Sequence, residues 1–128
     1  MTTAGNAGTR SWSGRLLMAV GALVLAFWTA SASAESSAGI AGRIAAGHAY
    51  DKHVVAEGQF PGVASRAAFA AVIQGIIEHP TAARPLSSGR TAYWDAASGA
   101  VVIANPHDRD GGTCFKPRAG RAYFDNLH

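Results

Sequence analysis

Residues 65–80 read SRAAFAAVIQGIIEHP and residues 90–104 read RTAYWDAASGAVVIA, and the two stretches differ in hydrophobic period. In the first, Phe69, Val72, Ile73, Ile76 and Ile77 recur every three or four positions and form one apolar stripe, the pattern of an amphipathic helix. Ser65 offers an N-cap hydroxyl, and Pro80, with no N–H to give, stops the helix. In the second stretch the period falls to two. It predicts strands over 90–94 and 100–104, joined across Asp95–Gly99 as a hairpin with a longer loop.

Working outward, residues 38–57 (AGIAGRIAAGHAYDKHVVAE) are alanine-rich. They predict a helix from Ile40 to about Glu57, weakened at Gly42 and Gly47. Residues 35–38 are expected to be a flexible start of the mature protein. The run Gln59-Phe60-Pro61-Gly62 is a turn, 85–89 a loop and 105–112 (NPHDRDGG) a turn-rich connection. A third strand is expected over 113–116, ended by Pro117, and a fourth over 121–124. The fold class is α+β: two N-terminal helices packed on a four-stranded antiparallel meander.

The first 34 residues read as a cleaved secretory signal. Arg10 and Arg15 provide the positive start, Leu16–Trp28 an apolar run of 13 residues, and Ala32-Ser33-Ala34 a small-residue cleavage site. As a helix that run reaches about 20 Å, short of the roughly 30 Å of a bilayer core, so no stable membrane anchor is expected after cleavage. The expected product is a secreted single domain, residues 35–128, with its core at about 40–127. Two of the eleven basic residues lie in the signal, which leaves nine Lys and Arg against eight Asp and Glu. Such a near-neutral balance gives no general nucleic-acid signature, so any basic surface must come from local clustering. Cys114 is the only cysteine, and no intramolecular disulfide can form.

Chemistry concentrates in 47–54 (GHAYDKHV). His48 and Lys52, four apart, share a helix face. His53, five from His48, falls about 140° away at 3.6 residues per turn. All three can address one substrate only if the helix starts or breaks there. A histidine can take a proton from a ribose hydroxyl or return one to a leaving oxygen, and lysine can stabilise charge on phosphoryl oxygens. The competing reading is a solvated helix face. On the sheet, Arg90 can grip two phosphate oxygens, Thr113 can add a hydroxyl, and Tyr93 can stack on an unpaired base; the competing reading packs the aromatic residues against the helices. Weaker candidates are a partial calcium-type loop at 108–112, which lacks its later ligands, a zinc site on His48 and His53 without a third ligand, and Cys114 as a nucleophile rather than a small buried residue.

The blocks GHAYDKHV (47–54), GRTAYWD (89–95), AVVIANP (100–106) and DGGTCFKPRAGRAYFDNL (110–127) resemble the C-terminal toxin modules of bacterial secreted polymorphic toxins. Those modules are similar to the barnase, EndoU, colicin D and RelE group of ribonucleases. The resemblance implies an endoribonuclease that uses no metal or other cofactor, attacks through the ribose 2′-hydroxyl, leaves a cyclic phosphate and is restrained by an immunity protein. It implies catalytic roles for His48 and His53 as acid and base. Lys52 and Arg90 would hold the scissile phosphate of the RNA substrate, Thr113 and Tyr93 would position it, and Lys116 would extend the phosphate track. The alternative is a non-catalytic secreted binding module that recognises a protein or a cell-envelope component.

Overall fold

The computed structural model describes residues 34–128. The expected signal segment therefore lies, apart from Ala34, outside the described residues. Helix α1 spans Ser37–Ala46, a π-helical segment Tyr50–Ala56, and α2 Arg66–Glu78. Strands β1 (Ala82–Pro85), β2 (Thr91–Asp95), β3 (Ala100–Ala104) and β4 (Gly112–Phe115) follow, and a short α3 covers Arg121–Asp125. The strands form one antiparallel sheet in the order β1-β2-β3-β4. The α+β class and the four-stranded antiparallel sheet thus agree with the sequence reading.

The caps explain the helix limits. Ser65 accepts from the Ala68 N–H at 3.1 Å, as its position suggested. Ser36 does the same for the Gly39 N–H at 3.1 Å, so the helix starts at Ser37, inside the stretch expected to be flexible. Two further expectations fail. The segment expected as the fourth strand, Arg121–Phe124, is α3, held by an Arg121–Asp125 pair one turn apart at 3.2 Å. The actual first strand, Ala82–Pro85, carries no β-branched or aromatic residue and so lacks a strand signature. It exists because β2 offers it a full register from Ala82↔Trp94 to Pro85↔Thr91, and proline is tolerated on such an edge strand.

Both faces of the sheet are covered. Val102 and Cys114 face α1 and α2 and share a core with Ile44, Phe69 and Ile73, while Tyr93 packs against it half-buried. Ala92, Trp94, Val101 and Ile103 face the other way and are covered by Phe124, with Phe115, Tyr123 and Leu127 packed around them. Trp94 lies in this second core rather than against α1 and α2, whereas Phe115 borders the same core and also meets the helical segment through the His53 ring. Arg84 fastens its cover. Its guanidinium donates to the carbonyls of Phe124 (3.2 Å) and Asp125 (2.6 Å) and to that of Leu127.

Gly112 is required by the β3–β4 pairing. Its φ is +127°, and a Cβ there would sit 1.9 Å from the carbonyl oxygen of Ile103, a backbone atom that cannot move aside. Gly112→Ala is expected to cost about 3 kcal/mol or more, read as a lower midpoint in urea unfolding. Cys114 lies fully buried, and burial pushes its thiol up to about 12. Native protein should resist thiol-specific reagents at neutral pH, and denatured protein should react at once.

Candidate active site

The site begins where α1 breaks. Gly47 caps the helix, its N–H shared between the carbonyls of Arg43 and Ile44 at 3.1 Å each. The chain turns helical again at His48 and winds as a π-helix over Tyr50–Ala56. The bond from the Glu57 N–H to the Lys52 carbonyl, at 2.9 Å, spans five residues. Turns of this width bring residues five apart into line. This resolves the spacing that an ordinary helix could not satisfy, because His48, Lys52 and His53 all reach one cleft.

Contacts from α2 and from the β4 side hold the widened turn. Arg66, at the start of α2, donates to the carbonyls of Ala45 (2.9 Å) and Gly47 (3.0 Å) and grips both Asp51 oxygens at 2.9 Å. Its guanidinium also lies over the Tyr50 ring, 4.8 Å from the centroid. On the β4 side, His53 is buried and stacks on Phe115 with centroids 5.2 Å apart. Below it, the Gln59 side chain accepts from the Lys116 N–H (2.9 Å) and donates to the Lys116 carbonyl (3.3 Å), as a neighbouring strand would. Val54 meanwhile packs into the first core. The segment thus straddles the β4 edge, with Val54 on one side of the sheet and His53 on the other.

The cleft has a volume of about 360 Å³ and is lined by His48, Lys52, His53, Arg90, Ile103, Asn105, Asp108, Gly112 and Thr113. All five residues expected as catalytic are among them. The alternation of the strands explains the sheet side. Ile103 and Thr113 are cross-strand partners on the face of the second core, and Arg90, two residues before Ala92, points the same way. Arg90 donates through Nε to the Ser87 carbonyl (3.2 Å) and through Nη2 to Ser87 Oγ (3.1 Å) and the His128 carbonyl (2.6 Å). Among the described residues no acceptor holds its Nη1.

Tyr93 and Lys116, expected to bind substrate, do not line the cleft. Tyr93 alternates to the helix-covered face and packs there. The Lys116 ammonium lies 5.0 Å from the centre of the Phe60 ring, on the side away from Thr113. The aspartate-rich run 108–112 is a hydrogen-bonded turn. Asp108 Oδ1 accepts from the Asp110 N–H at 3.0 Å, and Asn105 Oδ1 from the His107 N–H at 3.1 Å. Among the described residues no three His, Cys, Asp or Glu side chains converge to hold a metal ion.

Two carboxylates to which the sequence reading gave no part in this cleft touch the imidazoles. Asp110 Oδ2 is 2.8 Å from His48 Nδ1, and Glu57 Oε2 is 3.0 Å from His53 Nδ1. The first pair is 62 residues apart in the chain, so no spacing could signal it. The second is four apart and could have been read as a helix-face pair. Comparison with known families, with curated proteins and with solved structures yields no match.

The hydrogen bond from the His48 ring, and after it the one from the His48 N–H, hold the Asp110 carboxyl below its usual range. A group lowered in the folded state adds stability above its unfolded value, near 3.9 for aspartate, and that stability is lost as pH falls through the folded value. The acid limb of the stability curve below about pH 4 should therefore be shallower in Asp110→Asn than in the wild type, as measured by denaturant unfolding at stepped pH.

Proposed function

We propose that this domain is a metal-independent endoribonuclease. The observation that supports the reading is a convergence: His48, Lys52, His53, Arg90 and Thr113 come from three separate stretches of sequence and line one cleft. Its volume lies at the small-ligand end of known pockets, about 300 Å³ and upward, of a size for one nucleotide unit rather than a helix of RNA.

On this reading one imidazole removes the proton from a ribose 2′-hydroxyl. The oxygen attacks the adjacent phosphorus, the P–O5′ bond breaks, and the other imidazole gives a proton to the departing O5′. The products are a 2′,3′-cyclic phosphate and a free 5′-hydroxyl. Lys52 and the Arg90 guanidinium place positive charge where the phosphoryl oxygens gain negative charge. The Thr113 hydroxyl can hydrogen-bond one of those oxygens. The reading extends to export behind the N-terminal segment, to toxicity, and to a protein inhibitor that protects the producing cell.

The test is incubation of purified protein with single-stranded RNA and with tRNA in excess chelator. Cleavage to cyclic-phosphate ends is expected. His48→Ala and His53→Ala should each lower the rate by about 10²- to 10⁴-fold. Intact RNA at high excess of well-folded protein rejects the proposal. A binding module would instead keep its biological effect in both variants.

A further inference from the structure

We infer that Asp110 and Glu57 are positioning residues that fix both cleft imidazoles as the Nδ1–H tautomer, so that each ring presents Nε2 as its working atom. Only the catalytic consequence of this rests on the ribonuclease reading.

An ionised carboxylate can accept a hydrogen bond and cannot donate one. A ring nitrogen that bonds to it must therefore carry the proton, and the nitrogen across the ring is then the acceptor of the neutral imidazole. The 2.8 Å contact from His48 Nδ1 to Asp110 Oδ2 and the 3.0 Å contact from His53 Nδ1 to Glu57 Oε2 impose the same choice on both rings.

Orientation is fixed as well as tautomer. Asp110 Oδ2 also accepts the backbone N–H of His48, at 3.3 Å, so a single oxygen ties the ring to its own main chain. Asp110 is itself held from behind, through its N–H on Asp108 Oδ1 and by close contact with Gly47, where a Cβ would come within 2.7 Å of the Asp110 Cβ. His53 is clamped differently. Its ring lies against Phe115 at an interplanar angle of 27°, which leaves rotation about the Cβ–Cγ bond little room, and Glu57 selects the nitrogen. The two residues are fastened by unrelated means to the same end. A solvated helix face would not need that.

A ring free to flip would present either nitrogen to a substrate, and a histidine side chain in water favours the opposite, Nε2–H form. General acid and general base work both require one defined atom at hydrogen-bond distance from the proton.

The experiment uses the full chain labelled with ¹⁵N-histidine, and reads the ring nitrogens by long-range proton–nitrogen correlation at about pH 8.5, where neutral imidazole dominates. In the wild type both His48 and His53 should show a protonated Nδ1 and a bare Nε2. Asp110→Ala should move His48 toward the Nε2–H form and leave His53 as it was; Glu57→Ala should do the reverse. Asp110→Asn, which keeps an acceptor oxygen and the side-chain shape, should preserve the His48 tautomer and guards against loss of fold. The inference is overturned if either wild-type ring carries its proton on Nε2, or if Asp110→Ala leaves the His48 tautomer unaltered. With RNA as substrate, Asp110→Ala should lower kcat about tenfold or more while KM changes little. An unchanged kcat overturns the catalytic part while leaving the nuclease intact. A wild type that cleaves no RNA overturns the nuclease reading, and the tautomer measurement still decides this one.

Discussion

The contact between Gly47 and Asp110 is the constraint on which the cleft depends. At Gly47 the first helix stops, and the Asp110 side chain occupies the space a Cβ would need. The helix break and the β3–β4 loop are therefore fastened to each other at van der Waals distance. The same carboxylate accepts hydrogen bonds from the backbone and the ring of His48. Arg43 reinforces the junction from the preceding turn by donating to the Asp108 carbonyl at 2.6 Å. Gly111, at φ +75°, lets the loop pass beside the Arg43 stem, where a Cβ would come within 2.9 Å. This anchorage joins the contacts of His53 with Phe115 and of Gln59 with Lys116 in holding the helical segment at the edge of the sheet.

The sheet sets the second condition. Each strand is only four or five residues long, so the first core needs help to exclude water. α3 and the last residues of the chain provide it by covering the face opposite α1 and α2. They cover that face incompletely. Where the cover ends, Arg90 and Thr113 stay half-exposed beside the buried Ile103, and the π-helical segment closes the cleft from the β4 side. The bonds from Arg90 to Ser87 and His128 belong to this cover and hold its guanidinium at the cleft wall. The cleft is thus the gap between two coverings of one short sheet.

Widening of the helix is the less common device. A π-helical stretch is rare and occurs mostly as a single widened turn, so contacts from outside the turn are needed to favour it over a regular α-helix. Here those contacts are the bidentate Arg66–Asp51 pair, the Arg66 bonds to the free carbonyls at the end of α1, and the stacking of His53 on Phe115. They act at both ends of the segment, and together they hold two imidazoles and one ammonium toward the same space. On the ribonuclease reading, that is the arrangement a phosphodiester needs.

Local periodicity by itself determined the α+β class, the second helix with its Ser65 cap, the β2–β3 hairpin and strand β4, because in each the side-chain pattern matches the geometry of the element. Composition also singled out the residues of the cleft, since two histidines and a lysine within six positions are visible without coordinates. Only the tertiary structure decided the rest. Ala82–Pro85 becomes a strand because β2 pairs with it, and Arg121–Asp125 becomes a helix because Phe124 has a sheet face to cover, though neither carries a propensity that says so. Strand alternation already sets Tyr93 and Arg90 on opposite faces, and the packing of α1 and α2 decided that the Tyr93 face is the covered one. The partnership of Asp110 with His48 spans 62 residues, and a hydrogen bond over that separation follows from how the chain packs rather than from any local spacing.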